Sequence, residues 1–283
     1  MVCPPHPAQR GKFKKGSSPM PDMIAQSPRP VTESQLIRWG SRPDTDPPAE
    51  TKFLQGPQSR RFELGQAVSI FRELIYGFRK LHFVGPCVTV FGSARFDENH
   101  LFYRQARLIG KRLAEVGFTV MTGGGPGIME AANRGAKDLP KAKSIGVNIK
   151  LPHEQKPNPY VDKFVEFEHF FVRKLMLIKY SYAFIVCPGG FGTLDELFEV
   201  LTLIQTGKLQ DFPVALVGRE YWAPGIEQLK KFVSEKTIDP VDLDKLYIGD
   251  DPDEVVKHVT DVSMRKFGLS YGQKVRRRWW LGE

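Results

Sequence analysis

The stretch "VCPGGFGTLDELFEV", residues 186–200, leaves an apolar run, passes through three glycines and continues as an amphipathic segment. This order predicts a buried strand, a tight turn and a helix, which is the repeating step of a parallel α/β sheet. Glycine leaves the backbone N–H groups of such a turn open, and the helix that begins there adds partial positive charge. The stretch therefore predicts both a fold class and an anion-binding corner.

The same alternation extends along most of the chain. Apolar strands are predicted at 86–94, 118–127, 144–151, 163–170, 183–190, 212–218 and 245–248. Helices are predicted at 63–83, 99–116, 128–137, 170–181, 193–206, 222–234 and 253–266. Strands that are apolar on both faces and separated by helices predict a Rossmann-like, doubly wound parallel sheet. Ligands bind such sheets outside the carboxyl ends of the strands.

The two ends of the chain differ in composition from its middle. Residues 1–60 hold 11 of the 22 prolines and show no sustained period, so we predict a disordered N-terminal extension there. Residues 61–268 form the predicted single α/β domain, and residues 269–283 a basic tail. The net charge of +9 comes from the ends, because residues 61–264 carry 26 basic and 26 acidic side chains.

Several classes of function are disfavoured by this composition. The body shows no RNA-binding or zinc-finger signature, and the basic ends are predicted to be solvated termini, so no nucleic-acid partner is expected. No apolar run reaches the roughly 20 residues of a membrane span, and no secretory leader is evident, so we expect a cytoplasmic protein without membrane contact. Cys3, Cys87 and Cys187 are too widely spaced to predict a metal site, and Cys87 and Cys187, which lie in strand-like runs, are predicted to be buried thiols.

Three predicted strands run into glycine, at "FGSAR" (91–95), "TGGGPG" (122–127) and "PGGFGT" (188–193). Three such corners on one sheet edge favour a nucleotide or another phosphorylated ligand. Neither a P-loop nor a dinucleotide-binding fingerprint is present, which disfavours an NTPase and an NAD-dependent enzyme. The candidate ligand-binding residues at these corners are Gly92, Ser93, Gly124, Gly125 and Gly189.

Thr193 and Glu196 have the T-x-x-E spacing of a capping box. In that interpretation Thr193 caps the helix, Glu196 bonds back to the cap, and neither residue takes part in chemistry. Alternatively, Glu196 is a functional carboxylate that the helix dipole stabilises as an anion near neutral pH. The residues alone leave both interpretations open.

Five motifs together resemble those of the Lonely Guy (LOG) family, whose members are often labelled possible lysine decarboxylases. The residues that carry the resemblance are "FGSAR" (91–95), "GGGPGIMEAANRGA" (123–136), "RK" (173–174), "PGGFGTLDE" (188–196) and Thr202. The resemblance spans about residues 85–260. It implies a Rossmann-like fold, a site near a contact between the subunits of a homodimer or larger homo-oligomer, and no metal or organic cofactor.

The activity that the resemblance implies is hydrolysis of the N-glycosidic bond of a nucleoside 5′-monophosphate. It implies Arg173 and Glu196 as the catalytic pair. It also implies a nucleotide site lined by Lys174, Gly190, Phe191, Gly192, Thr193, Leu194, Asp195 and Thr202. An ionised carboxylate suits the oxocarbenium character that this cleavage builds on the ribose, and arginine holds oxyanions in a fixed fork.

Other hypotheses stay open beside this one. The surroundings of Arg173 and the loop at 150–160 differ from those of short plant-type members, so AMP or another purine monophosphate is as plausible a substrate as a cytokinin nucleotide. A non-catalytic protein that binds a nucleotide or the molybdenum cofactor is the alternative function. A lysine decarboxylase is disfavoured because no lysine has the sequence context of a pyridoxal phosphate site.

Four further polar side chains are weaker candidates, each with an ordinary structural explanation. Arg95 lies beside the first glycine corner, and Glu130 and Asn133 lie in the first turns after the second. His169 precedes Arg173 by four residues and is predicted to be exposed or to act indirectly.

Overall fold

Seven parallel strands form one sheet in the computed structural model, which describes residues 49–54, 56–150, 156–210 and 212–267. In chain order they are β1 (Cys87–Phe91), β2 (Thr119–Thr122), β3 (Ser144–Ile149), β4 (Lys163–Phe167), β5 (Ser181–Val186), β6 (Val214–Val217) and β7 (Leu246–Gly249). Their order across the sheet is β4-β3-β2-β1-β5-β6-β7. The order reverses between β1 and β5, so the switch point at which such sheets bind ligands lies between these two strands.

The helices lie on both faces of the sheet. They are α1 (Ala49–Phe53), α2 (Arg60–Leu81), α3 (Leu101–Glu115), α4 (Ile128–Lys137), α5 (Phe170–Lys179), α6 (Phe191–Gln205), α7 (Arg219–Ser234), α8 (Pro240–Asp244) and α9 (Pro252–Phe267). One apolar cluster includes side chains of α3, α4 and α9, and the other includes side chains of α2, α5, α6 and α7. The central strands are apolar on both faces because each face is covered by one of these clusters.

The predicted Rossmann-like, doubly wound fold is confirmed, and each predicted strand and helix is present with ends shifted by a few residues. The short helices α1 and α8 were not predicted, because five residues are too few to show a helical period. Helix α1 falls inside the predicted extension of residues 1–60. Most of that extension, residues 1–48, and the predicted basic tail lie outside the described residues.

Helix α2 differs from its predicted pattern in one respect. Leu74 and Phe78 pack against the core as expected. Val68, Phe71 and Ile75 are exposed, because the apolar residues of α2 form a second stripe that turns away from the sheet.

Within the described part of the chain, no helix has the length and apolar character needed to cross a bilayer.

Candidate active site

A cleft of about 620 Å³ opens at the carboxyl ends of β1 and β5, at the switch point of the sheet. It is lined by Phe91, Gly92, Ser93, Ala94, Arg95, Phe96, Met129, Arg173, Gly189, Gly190, Phe191, Gly192, Thr193, Glu196 and Tyr221. The first and third glycine corners therefore share one cleft. This placement follows from the strand order, since β1 and β5 are neighbours although 90 residues separate them in the chain.

The two corners are bonded to each other through their backbones. The N–H of Ser93 donates to the carbonyl of Pro188 at 2.9 Å, and the N–H of Ile128 donates to the carbonyl of Ser93 at 3.0 Å. A Cβ at Gly189 would overlap the hydroxyl of Thr193 and lie 2.9 Å from the nitrogen of Ser93. Only glycine fits at position 189, because its backbone packs directly against the other corner.

The N-terminus of α6 faces this cleft without a side-chain cap. Gly190 is the residue before the helix, and no side chain of the described residues caps it. The N–H groups of the first helical turn, at Phe191, Gly192 and Thr193, have no acceptor within the helix. Apart from its neighbours in the chain, no atom of the described residues lies within 4 Å of a Cβ built at Gly190 or Gly192. These positions offer an anion both backbone donors and free space.

Arg173 and Glu196 form the only charged pair among the described residues that line the cleft. Arg173 Nη1 lies 3.1 Å from Glu196 Oε1, and Arg173 Nε donates to the carbonyl of Val147 in β3 at 3.2 Å. The side chains are 13% and 6% exposed. Helices α5 and α6 thus bring together two residues that lie 23 positions apart in the chain.

Glu196 has an unusual environment for a carboxylate. Its Oε2 is buried and accepts no hydrogen bond from the described residues. Burial raises the pKa of the Glu196 carboxyl above its ordinary value, while the positive charges of Arg173 and Lys174 oppose that rise. Since no described residue bonds Oε2, this oxygen is still able to accept a hydrogen bond.

The capping-box interpretation of Thr193 and Glu196 is wrong. Helix α6 begins at Phe191, after Gly190, so Thr193 lies inside the first turn and Glu196 in the second. Glu196 was expected in the first turn, where the helix dipole stabilises an anion, but it lies in the second turn, and burial raises the pKa of its carboxyl. The sequence pattern placed the helix start two residues too late, at 193 instead of Phe191, since glycines at 190 and 192 resemble a turn more than a helix.

Four of the predicted site residues lie on α5 or α6 but do not line the cleft: Lys174, Leu194, Asp195 and Thr202. Lys174 pairs with Asp195 at 2.9 Å and with Glu199 at 3.0 Å, which ties α5 to α6. Leu194 packs partly buried against the core. The Thr202 hydroxyl donates to the carbonyl of Phe198 within its own helix. A direct role for these residues at this cleft stays a prediction.

Gly124 and Gly125 of the second glycine corner do not line the cleft. Asn158 donates from its backbone to the Gly124 carbonyl and from its side chain to the Gly125 carbonyl, so both carbonyls accept a hydrogen bond from within the protein. Asn133 is fully buried in the same network and bonds Thr122 and Ser144. The corner thus helps to shape the site through its neighbour Gly123, where a Cβ would lie 3.3 Å from Arg173.

The weaker candidates take different positions. Arg95 lines the cleft, whereas Glu130 accepts a hydrogen bond from the Tyr103 hydroxyl at 3.0 Å. His169 is fully buried, so the expected exposure is wrong.

Burial raises the pKa of the Cys87 and Cys187 thiols to about 12, as expected for inert structural cysteines.

Five cleft residues were not among the candidates named from the sequence: Phe91, Ala94, Phe96, Met129 and Tyr221. The Tyr221 hydroxyl donates to the Gly189 carbonyl at 2.8 Å and so supports the α6 corner from α7. The one signal for Tyr221 was its place just after β6, a strand that neighbours β5.

In the described residues, no group of three or more His, Cys, Asp or Glu side chains is arranged to hold a metal ion.

Comparison with known proteins gives these residues a family context. The family model described as "Possible lysine decarboxylase" matches residues 129–259. The chain is 28% identical over 155 residues to the pyrimidine/purine nucleotide 5′-monophosphate nucleosidase of Escherichia coli (strain K12), which covers 52% of this chain and 34% of that protein. It therefore spans only about a third of this relative.

A larger share of a second relative is matched by this chain. The chain is 33% identical over 164 residues to the cytokinin riboside 5′-monophosphate phosphoribohydrolase LOG of Oryza sativa subsp. japonica, covering 56% of this chain and 65% of that protein. Among solved structures, the molybdenum cofactor binding protein from Rippkaea orientalis matches with a TM-score of 0.48 and 23% identity, over 62% of this chain and 96% of that one. The family model and the sequence relatives confirm the resemblance to the Lonely Guy (LOG) family that the glycine motifs indicated.

Proposed function

We propose that this protein hydrolyses the N-glycosidic bond of nucleoside 5′-monophosphates, releasing the free base and ribose 5-phosphate. The observation that carries the proposal is the buried Glu196, whose Oε1 pairs with Arg173 and whose Oε2 has no hydrogen-bond partner among the described residues. A protein that only bound phosphate would need the backbone donors of α6 but no buried ion pair beside them. The names of the relatives agree with the proposed reaction class.

The phosphate of the substrate binds in this proposal at the N-terminus of α6. Phe191, Gly192 and Thr193 offer backbone N–H groups there, and Arg95 adds a side-chain cation from the opposite corner. The helix dipole favours an anion at the same point. Because the phosphate is remote from the reacting bond, its binding energy serves to hold the ribose in position for cleavage.

The ribose then lies beside Glu196. As the bond between C1′ and the base nitrogen breaks, C1′ gains positive charge, which the ionised carboxylate stabilises. Oε2 also accepts a hydrogen bond from the attacking water, whose oxygen bonds to C1′ while its proton passes through Glu196 toward the leaving base. Arg173 holds Glu196 in place through Oε1, and its charge opposes the rise in the pKa of Glu196 that burial causes.

Apolar side chains in the same cleft are suited to a planar base. Phe96, Met129 and Phe191 line it, and Phe191 is 94% exposed. Aromatic and thioether groups contact any base through its faces, so they favour a broad range of nucleotides. Adenine, in AMP or in a cytokinin nucleotide such as N6-isopentenyl-AMP, is the base that we propose first.

A panel of nucleotides tests the proposal. Purified protein is incubated with AMP, GMP, CMP and N6-isopentenyl-AMP, and free base and ribose 5-phosphate are measured by chromatography. Adenosine serves as the control, and we expect its kcat/KM to be lower than that of AMP by about 10² or more, because it lacks the phosphate. If every nucleotide binds and none is cleaved, the protein belongs to the alternative class of non-catalytic nucleotide- or molybdenum-cofactor-binding proteins.

Replacing Gly192 tests the phosphate site separately from the chemistry. We expect Gly192→Ala to raise KM for AMP by about tenfold or more, since the new methyl group enters space that the protein leaves open for the phosphate. Alanine in a helix also adds up to about 1 kcal/mol of stability, so thermal unfolding should not occur earlier. KM comes from initial rates, and the melting temperature from calorimetry.

The matched control is Gly65→Ala in α2, where a Cβ likewise meets nothing within 4 Å. This variant should keep the wild-type KM. An unchanged KM for Gly192→Ala would contradict phosphate binding at this helix end.

We also propose that the protein is a homodimer or a larger homo-oligomer. Phe171 and Leu175 of α5 are 47% and 44% exposed, and Phe198 of α6 is 44% exposed. Apolar side chains grouped on neighbouring helices beside a site are typical of a subunit contact. We expect Phe198→Asp to shift the sedimentation coefficient to that of a monomer, whereas Val241→Asp, at an exposed apolar position on α8, should leave it unchanged.

A further inference from the structure

The start of α5, the helix that presents Arg173, is held by carboxylates from upstream helices. His169 precedes the helix and makes no side-chain capping bond to it. The N–H of Phe170 instead donates to Glu50 Oε1 of α1 at 2.9 Å. Glu73 of α2 accepts the N–H of Glu168 with Oε1. Neither Glu50 nor Glu73 lies in the segment that matches the family model, residues 129–259.

The second oxygen of Glu73 binds the His169 ring. His169 Nδ1 lies 2.7 Å from Glu73 Oε2, and the two side chains are 0% and 14% exposed. A carboxylate only accepts hydrogen bonds, so Nδ1 is the donor. One glutamate therefore fixes both the backbone and the side chain at the junction between β4 and α5. Charge-assisted bonds in such a dry environment are strong and directional.

His169 is connected directly to the turn that carries Arg173. The N–H of Arg173 donates to the carbonyl of His169 at 3.2 Å, and the N–H of Val172 donates to the same oxygen. The Arg173 guanidinium is then aligned by Val147 and Glu196. A shift of His169 moves the first turn of α5, and with it the guanidinium, relative to those two acceptors.

We propose that Glu73, through its bonds to His169 and the backbone of Glu168, is a positioning residue for Arg173. The inference rests on the function proposed above, for which Arg173 must sit within hydrogen-bond distance of Glu196. It gives α2 a functional role beyond covering the sheet. A misplacement of about 1 Å in a catalytic group lowers turnover by about 10²-fold, so small shifts at this junction are measurable.

Kinetics of AMP cleavage test the positioning role. We expect Glu73→Ala and His169→Ala to lower kcat by about 10²-fold, with KM within about threefold of wild type, because the glycine corners that bind phosphate are untouched. Glu73→Gln and His169→Asn each keep a hydrogen-bonding group at the junction. These two should retain more of the wild-type kcat than the alanine variants.

The control for general destabilisation is Val259→Ala, a fully buried position of α9 on the other face of the sheet. All variants are assayed below their melting temperatures. Val259→Ala should lower the melting temperature but keep kcat. If Glu73→Ala loses no more kcat than Val259→Ala, or if it changes only KM, Glu73 is a structural residue and the proposal fails.

A second measurement does not depend on activity. The solvent exchange of the Arg173 Nε–H, followed by NMR, reports the bond to the Val147 carbonyl. We expect exchange at least about tenfold faster in Glu73→Ala than in Val259→Ala. If wild-type protein cleaves no nucleotide, the proposed function fails, and the exchange rates still decide this inference: equal rates in the two variants would overturn it.

Discussion

Glu196→Gln should lower kcat for AMP by about 10³-fold, equivalent to about 4 kcal/mol of transition-state stabilisation. The amide keeps the shape of the side chain and can still accept a hydrogen bond from Arg173. It lacks the negative charge that stabilises C1′ and cannot take a proton from water. KM should change little, since the phosphate is bound by α6 and not by Glu196. Initial rates with AMP give both constants.

The matched control is Glu199→Gln, one turn further along α6, where the carboxylate is 34% exposed and pairs with Lys174. This variant should keep most of the wild-type kcat. The melting temperature of Glu196→Gln should stay within about 3 °C of wild type, which excludes unfolding as the cause. Full activity of Glu196→Gln would show that Glu196 is only a structural group in the second turn of α6.

Arg173→Met should lower kcat/KM for AMP by about 10²–10³-fold and move the acidic limb of the pH–rate profile to higher pH. Burial already raises the pKa of Glu196, and the charge of Arg173 opposes this rise. Removing that charge raises the pKa further. Because the ionised carboxylate is the active form, activity is lost as the pH falls through this pKa, and the loss now begins at a higher pH.

Arg107→Met is the control for loss of an arginine ion pair, since Arg107 pairs with Asp138 on the far face of the sheet. Arg107→Met should change neither kcat/KM for AMP nor the pH of the acidic limb of the pH–rate profile. Glu199→Gln should move the limb slightly to lower pH, because the charge of Glu199 raises the pKa of Glu196. An acidic limb that stays in place in Arg173→Met would contradict the coupling between Arg173 and Glu196.

Much of the fold was predictable because its signals are local. Each buried strand appears in the sequence as an apolar run that ends in glycine or a polar residue. In the helices between them, apolar residues recur with a period of about 3.6 residues. The approximate place of the site followed from the same pattern, since parallel strands share one carboxyl edge. The glycines at 92, 189, 190 and 192 could thus be predicted to lie at one cleft before any geometry was known.

The features that required the structure depend on contacts between distant segments. The burial of Glu196 is set by packing between α5 and α6, which no local pattern encodes. Likewise, the contact of Tyr221 with Gly189 and of Glu73 with His169 joins residues 32 and 96 positions apart. Glycine at 190 and 192 concealed the start of α6, because helix propensity there is overridden by the need for open backbone at the cleft.

The central claim is that the cleft between β1 and β5 cleaves the N-glycosidic bond of a bound nucleotide. The most direct test is product analysis after wild-type protein and Glu196→Gln are each incubated with AMP. We predict that wild type releases adenine and ribose 5-phosphate in equal amounts, and that Glu196→Gln binds AMP but releases almost none. Recovery of intact AMP from the wild-type complex would contradict the claim.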